Sequence, residues 1–203
     1  MHIKQIYKNK PVILIATGPS LTEEVVEIIR KYKDKYIIFG CNDSYRLIDF
    51  LDVFYACDVR WWNKWGDSFR EKYPNLPAYT QSEQHKHSHN LTVVDGKHRN
   101  KLSTNPKEIH WGSNSGFQIL NLALLFGCSK FILVGYNMQL VDGKSHFFGD
   151  HEFPLRSRSP YNKFIAAFQT VQEELKPYIV NCTPNSALKN FRTNDLEDEL
   201  RCE

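Results

Sequence analysis

Residues 12–33, VILIATGPSLTEEVVEIIRKYK, decide the fold class of this chain. Their first five residues are all apolar, as in a parallel strand that is covered on both faces. The turn Gly-Pro-Ser follows at 18–20, and apolar residues then recur at helical spacing between Leu21 and Ile29. A strand, a glycine turn and an amphipathic helix in this order predict the first βα unit of a Rossmann-like sheet.

The same alternation continues along the chain. Further strands are predicted at 36–40, 52–56, 131–136 and 178–181, and further helices at 113–127, with Gly127 as its C-cap, and at 161–176. Two polar stretches interrupt the alternation of strands and helices, and they are predicted to form a small lid. Residues 82–110 are predicted to be an excursion from the sheet or a small hairpin, and residues 137–160 a long loop. The charged tail, 194–203, is predicted to fray. We expect one α/β domain over residues 1–203, a mostly parallel sheet with helices on both faces.

Composition limits the class of protein. The chain has 203 residues, 41% hydrophobic and 24% charged, which is typical of a globular protein. Its 26 basic and 23 acidic side chains leave a net charge of +3, too mild to require a nucleic-acid partner. The sequence has neither a long apolar run nor a signal-peptide core, and it has no CxxC pair among five scattered cysteines. We therefore expect a soluble cytoplasmic protein without a membrane span, a disulfide scaffold or a thiolate zinc site.

Polar and small residues follow the predicted strands. In an open parallel sheet, ligands bind beyond the carboxyl ends of the strands, so these residues are candidates for a nucleotide site. A helix N-terminus can also hold a phosphate. Each turn alone could equally be an ordinary cap, and neither common nucleotide fingerprint, GxGxxG or GxxxxGK[ST], is present. The candidates are Gly18, Pro19, Ser20, Asn42, Asp43, Asp58, Asn114, Ser115, Gly116, Tyr136 and Asn137.

Histidine is the candidate acid or base, because its ordinary pKa lies near neutral pH. His146, Asp150 and His151 lie among aromatic residues in the long loop after the strand at 131–136. They are predicted to be catalytic, with a loop that only packs its phenylalanines as the alternative. A second cluster at 85–89, HKHSH, could bind a metal if it were a strand. A solvated loop is favoured there, since no carboxylate pattern accompanies it, and no metal site is predicted.

Two further groups have open roles. Arg156 and Arg158 could bind a phosphate or an acidic acceptor, although exposed basic residues are often only solvated. Trp61, Trp62 and Trp65 have helical spacing, and the core is favoured for them over a surface on which an acceptor stacks.

Five ordered motifs carry a resemblance to known families. The chain resembles the bacterial family 42 sialyltransferases, and also the wider group of flagellin-glycosylation accessory proteins and 6-hydroxymethylpterin diphosphokinase-like proteins. Short uncharacterised phage proteins are similar around residues 147–151. The motifs are IATGPSL at 15–21, GCND at 40–43, SNSG at 113–116, GYNM at 135–138 and CTPNSAL at 182–188.

The sialyltransferase resemblance implies a nucleotide-sugar donor, no required cofactor or metal, and a histidine base. It implies that Gly18 and Ser20 contact the phosphate region and that Asn42 and Ser115 line the donor pocket. Asn137 and Met138 would occupy the turn that holds the ribose and base, where the family has an aspartate in place of Asn137.

Three hypotheses for function follow. The first is a metal-independent glycosyltransferase that moves a sugar from a nucleotide-activated small-molecule donor to an acceptor hydroxyl. The second is a diphosphokinase of the pterin type, which uses ATP and Mg²⁺ held by Asp43, Asp58 and Asp150. The third is a nucleotide-binding module without catalysis. The sequence leaves open whether the acceptor is a glycan, a small molecule or, less favoured, a nucleic acid, and whether the chain forms a homo-oligomer.

Overall fold

A computed structural model describes residues 2–152, 155 and 159–202, and its central feature is a parallel sheet of eight strands. Short 3₁₀ turns lie at 33–35, 42–46 and 176–178. In chain order the other elements are β1 (Pro11–Ile15), α1 (Glu23–Tyr32), β2 (Ile37–Cys41), β3 (Val53–Tyr55), α2 (Val59–Lys72), β4 (Ala78–Thr80), β5 (Thr92–Val93), β6 (Asp95–Lys97), β7 (Glu108–His110), α3 (Ser115–Leu125), β8 (Lys130–Val134), α4 (Tyr161–Gln169), β9 (Ile179–Asn181), β10 (Arg192–Thr193) and α5 (Leu196–Arg201).

The strand order is β10-β9-β8-β1-β2-β3-β4-β5, with every neighbouring pair parallel. From β1 the chain builds the sheet outward to β5, and it then returns to place β8 on the other side of β1. The strand order therefore reverses between β1 and β8, which is where open α/β sheets form their ligand crevice. The predicted Rossmann-like α/β fold is confirmed.

Strand β1 buries side chains on both of its faces. Val12 and Leu14 belong to one apolar cluster, which α3 and α4 cover. Ile13 and Ile15 point into a second cluster, which α1, α2 and α5 cover. All four side chains are fully buried. Each contributes about 1.5–3 kcal/mol by leaving water, which explains why this strand is apolar throughout.

Helix α3 ends as the sequence predicts, with Gly127 forming its cap. Gly127 has φ +88°, and its N–H donates to the Leu124 carbonyl while the Cys128 N–H donates to Ala123. This is a Schellman cap, which requires a left-handed residue that glycine supplies without a steric cost. Among the residues described, neither α3 nor any other helix has the length and apolar character needed to cross a bilayer.

The prediction for 82–110 was wrong in its main point. The apolar run at 91–94 forms β5, which pairs with β4 and extends the main sheet, because Leu91 and Val94 are buried. The strands β6 and β7 pair with each other in parallel, so they are not a hairpin. In contrast, the described part of 137–160 contains no helix or named strand, as predicted.

The C-terminal prediction was also wrong, because residues 192–201 form β10 and α5 instead of fraying. Asp195 caps α5 by accepting the N–H groups of Glu197 and Asp198. Leu196 and Leu200, one helical turn apart, are buried in the core. The preceding helix is shorter than predicted, since α4 ends at Gln169 and not at residue 176.

Candidate functional site

A cleft lies at the carboxyl ends of β1 and β8, where the strand order reverses. Its volume is about 90 Å³. The walls come from the turns after β1, β2 and β8, the first turn of α3, the loop before α4 and the start of α4. The lining residues are Ala16, Thr17, Gly18, Cys41, Asn42, Ser115, Gly116, Gly135, Met138, Ser145, His146, Ser159, Tyr161 and Phe164.

Gly18 lines this cleft. The space where its side chain would be is filled by other residues of the protein, so it is not free for a ligand. A Cβ at this position would collide with Asn137 Oδ1 and with the carbonyl oxygen of Gly135. The Gly18 N–H donates to that carbonyl at 2.9 Å. The two turns after β1 and β8 can therefore touch only because residue 18 is glycine.

Ser20 and Asn137 hold these turns together. The Ser20 hydroxyl donates to Asn137 Oδ1 at 2.8 Å, and the Ser20 N–H donates to the same oxygen at 3.1 Å. Asn137 is 2% exposed. The prediction that a helix N-terminus at Ser20 faces a phosphate was wrong, because α1 begins at Glu23 with Thr22 as its N-cap. Pro19 and this helix start line a separate cavity beside Phe147.

The first turn of α3 faces the cleft as predicted for an anion cradle. Asn114 is the N-cap and accepts the Phe117 N–H at 2.8 Å, so it supports the turn and does not line the cleft. Ser115 and Gly116 form the wall, and Ser115 Oγ donates to Asn42 Oδ1 at 3.4 Å. The early N–H groups of a helix have no intrahelical acceptor, so this wall carries positive potential.

Tyr136 lies beneath the cleft and not in it. Its ring is fully buried, and its hydroxyl donates to the Gly116 carbonyl at 3.1 Å. Met138, with φ +52°, does line the cleft.

His146, from the loop between β8 and α4, covers one side of the cleft, and His151 lies behind it. His146 Nδ1 lies 2.9 Å from Thr17 Oγ1, and its ring stacks on Phe148 with centroids 5.0 Å apart. The His151 ring centroid is 4.6 Å from that of His146. The Phe147 N–H donates to the Thr17 carbonyl at 3.0 Å, which fastens the loop to the turn after β1.

Both imidazoles are held neutral. Burial, together with the neighbouring His151, lowers the pKa of His146 to about 4. Burial also lowers the pKa of His151, while Asp43 opposes that change. A neutral imidazole has one nitrogen lone pair that can accept a proton, as a general base requires, while the lowered pKa makes that lone pair a weaker proton acceptor.

A second pocket of about 150 Å³ adjoins the cleft, and we call it the Arg46 pocket. Three pairs of neighbouring residues connect the two cavities. In each pair, the first residue lines the cleft and the second lines the Arg46 pocket. These pairs are Asn42 and Asp43, consecutive in the chain; His146 and His151, in ring contact; and Ser145 and Asp150, hydrogen-bonded to each other. The pocket is lined by Asp43, Arg46, Lys64, Trp65, Phe148, Asp150, His151 and Glu152.

Of the three candidate magnesium ligands, Asp43 and Asp150 line the Arg46 pocket and Asp58 does not. Asp43 is 1% exposed and accepts the Trp61 indole N–H at 3.0 Å. Asp58 caps α2 and pairs with Arg60 at 2.7 Å, and Asp150 accepts the Ser145 hydroxyl. Within the described ranges, no group of three histidine, cysteine or acidic side chains is placed to hold a metal ion. These carboxylates do not fit a magnesium site.

Of the tryptophans, Trp61 and Trp62 are buried in the core, as favoured from the sequence. Trp65 is half-buried and lines the Arg46 pocket. The predicted phosphate ligands Arg156 and Arg158 lie outside the described residues.

Sequence reasoning missed several cleft residues, of which Thr17 and Tyr161 have polar side chains directed to it. The Tyr161 hydroxyl is buried, and burial raises its pKa while a hydrogen bond with Ser159 opposes that rise. Tyr161 begins α4, far along the chain from the strand-end motifs, and no spacing rule connects it to them. Thr17 lies within the opening motif and could have been found there, since it directly precedes Gly18.

The chain is similar in fold to a solved structure, the MAf glycosyltransferase from Magnetospirillum magneticum AMB-1. The TM-score is 0.67 and the sequence identity 14%, over 96% of this chain. The match spans 35% of that larger chain, so the likeness covers only part of it. No protein-family model and no curated protein matches the sequence.

Proposed function

We propose that this chain is a transferase that moves a sugar from a nucleotide-activated donor to an acceptor hydroxyl. One observation carries the proposal: the crevice where the strand order reverses has a helix N-terminus on one wall and His146 on another, with the His151 ring in contact behind it. The fold likeness to a glycosyltransferase supports it at the level of architecture.

The donor phosphate would lie at the first turn of α3. The N–H groups of Ser115 and Gly116 and the Ser115 hydroxyl would stabilise the negative charge that develops on the departing phosphate. The Tyr161 and Ser159 hydroxyls, which both belong to cleft residues, would contact the donor. Asn42 and Met138 would contact the rest of the nucleotide.

The base would be His146 or His151. Either imidazole would remove the proton from the acceptor hydroxyl as that oxygen attacks the sugar. Since the described residues offer no carboxylate set suited to magnesium here, we propose transfer without a metal. Kinase-type phosphoryl transfer is disfavoured for the same reason, because Mg²⁺ would neutralise the phosphates in that chemistry.

Donor entry requires the loop to move. The cleft of about 90 Å³ is smaller than the roughly 300–1,000 Å³ of cofactor-sized sites. The contacts of His146 and Phe147 with Thr17 hold the loop against it. We therefore propose that the loop at 137–152 opens for the nucleotide and closes behind it, as predicted for a lid.

The test is nucleotide binding, measured as the shift of the thermal midpoint with CMP, UDP, GDP and ATP, each with and without Mg²⁺. A ligand at about 100 times its Kd adds about 2.7 kcal/mol to the free energy of unfolding. We expect one nucleotide to stabilise the protein without metal, and Ser115→Ala to reduce that shift. Ser68→Ala is the control, because it also removes a hydrogen-bonded serine hydroxyl, here bonded to Tyr45 at 3.1 Å, away from the cleft.

The other outcomes are decisive as well. Stabilisation by ATP only with Mg²⁺ would favour the diphosphokinase, and no shift with any nucleotide would overturn the proposal. Binding that leads to no sugar transfer to any acceptor would favour a non-catalytic module.

A further inference from the structure

The Arg46 pocket lies directly beside the cleft and is lined by a different set of residues. Its wall towards the cleft is the histidine pair, with His146 on the cleft side and His151 on the pocket side. A molecule in this pocket would therefore contact His151 while the donor contacts His146.

The pocket combines flat apolar rings with hydrogen-bonding groups. The Arg46 guanidinium lies 5.3 Å from the ring centroids of both Trp65 and Phe148. Lys64 Nζ lies 5.0 Å from the Trp65 ring. Because the cations and the His146 ring already pack on these aromatic faces, a sugar would be held mainly by the fixed donors and carboxylates, which match its hydroxyls.

The charges favour an uncharged ligand over an anion. Arg46 lies 3.4 Å from Asp43, and Lys64 lies 3.3 Å from Glu152, so a carboxylate accompanies each cation. Asp150 adds a further carboxylate to the lining. An anionic ligand would have to compete with these carboxylates for the cations, and would be repelled by them.

We infer that the Arg46 pocket is the acceptor site and that it binds an uncharged saccharide. The word acceptor rests on the proposed function, whereas the binding of a sugar here does not. In the transfer, the acceptor oxygen bonds to the anomeric carbon while the bond from that carbon to the donor's phosphate oxygen breaks. The bonding pair leaves with the phosphate, and the hydroxyl proton passes to an imidazole nitrogen of His151.

The experiment measures saccharide binding by saturation-transfer NMR on the full chain, without a nucleotide. The probes are the methyl glycosides of galactose, glucose and N-acetylglucosamine, with galacturonate and glucose 6-phosphate as anionic counterparts. Each is used at about 20 mM, which nearly saturates a site with a Kd of about 1 mM. We expect at least one neutral glycoside to bind and the anionic sugars to bind more weakly.

Variants locate the site. Arg46→Gln should weaken binding about tenfold or more, as expected when a charged hydrogen-bond donor is lost. Arg30→Gln is the matched control, because Arg30 also lies over an aromatic ring, Phe50 at 4.6 Å, and also pairs with a carboxylate, Asp49 at 2.7 Å. Glu152→Gln provides a second variant that is safe for folding, since the Glu152 side chain is 88% exposed.

Three results would overturn the inference: no neutral glycoside binds the wild type, anionic sugars bind more tightly than neutral ones, or both pocket variants bind like the control. Its failure is distinguishable from failure of the proposed function. Sugar binding with no nucleotide binding would leave a saccharide site and remove the transferase. Nucleotide binding with no sugar binding at Arg46 would do the reverse.

Discussion

Two histidine clusters look alike in the sequence and differ in the structure. The first, which we call the β4–β5 cluster, is His85, His87 and His89, and the second, the β8–α4 cluster, is His146 and His151 with Asp150. In the first, His89 is 8% exposed and stacks on Trp62 with centroids 5.7 Å apart. In the second, the rings cover a cleft at the strand ends. Neighbouring cavities, and not histidine density, distinguish a candidate site from packing.

The β4–β5 cluster is not the solvated loop that the sequence favours. Its residues lie in turns, and His89 fills the space beside Gly66, where any Cβ would collide with the imidazole. His85 Nε2 lies 2.7 Å from Asn63 Oδ1. Of the three histidines, only His87 is exposed. This cluster therefore ties the β4–β5 connection to helix α2.

The largest expected effect is on the rate of sugar transfer, which should depend on the β8–α4 cluster and not on the β4–β5 cluster. His151→Gln should lower the rate of sugar transfer by about 10²–10⁴-fold, the usual contribution of a general base. His89→Gln should leave the rate per folded molecule within about twofold. The measurement is transfer from the donor identified by nucleotide binding. Equal losses in the two variants would remove the distinction.

The second-largest expected effect is on stability, and here the β4–β5 cluster should matter. His89→Ala should lower the free energy of unfolding by about 1–3 kcal/mol, because it removes a buried ring from a packed site. Urea denaturation measures it. Gly66→Ala provides the coupling test: it should destabilise the wild type and cost less in the His89→Ala background, because the collision is then gone. Additive costs would show that His89 does not occupy this space.

The third effect is a pH dependence that belongs to the β8–α4 cluster. The pKa of His146 is about 4 in the folded protein and near 6.5 when unfolded. Its contribution to stability is therefore complete above pH 6.5 and is lost as the pH falls towards 4, because the unfolded chain binds the proton first. After allowance for solvent screening we expect about 1–2 kcal/mol.

Denaturation midpoints between pH 7 and 4 measure this, and His146→Gln should flatten the curve. The lowered pKa of His89 acts in the same direction, so His89→Gln is the control and should flatten it less. A larger change from His89→Gln would contradict the assignment.

The smallest expected effect concerns His87. His87→Ala should change the free energy of unfolding by less than about 0.5 kcal/mol, since the side chain is exposed. It should also leave activity unchanged. A clear loss of stability or of activity would show that the β4–β5 cluster has a role beyond packing.

Local patterns predicted most of the fold. The fully apolar run at 12–16 became β1 within one residue, since only a strand covered on both faces needs such a run. The cap at Gly127 was also predictable, because its residue type and its position after an apolar helix agree. The stretches at 82–110 and 194–203 were not, since their few apolar residues are buried by partners that are distant in sequence. Glu199 shows this: burial opposes its ionisation, but bonds from Asn194, Arg192 and Lys130 hold its pKa at about 2.

The candidate site divides in the same way. The sequence by itself determined that polar turns follow parallel strands, and therefore that Gly18, Asn42 and Ser115 meet at one edge of the sheet, while Met138 was expected there from the family resemblance. Only the tertiary structure decided that Asn114, Tyr136 and Asn137 support the cleft and do not line it, and that Tyr161 joins it. The physical reason is that strand direction fixes which turns meet. Which side chain faces the cavity depends on hydrogen bonds, such as that from Ser20 to Asn137, between residues far apart in the chain.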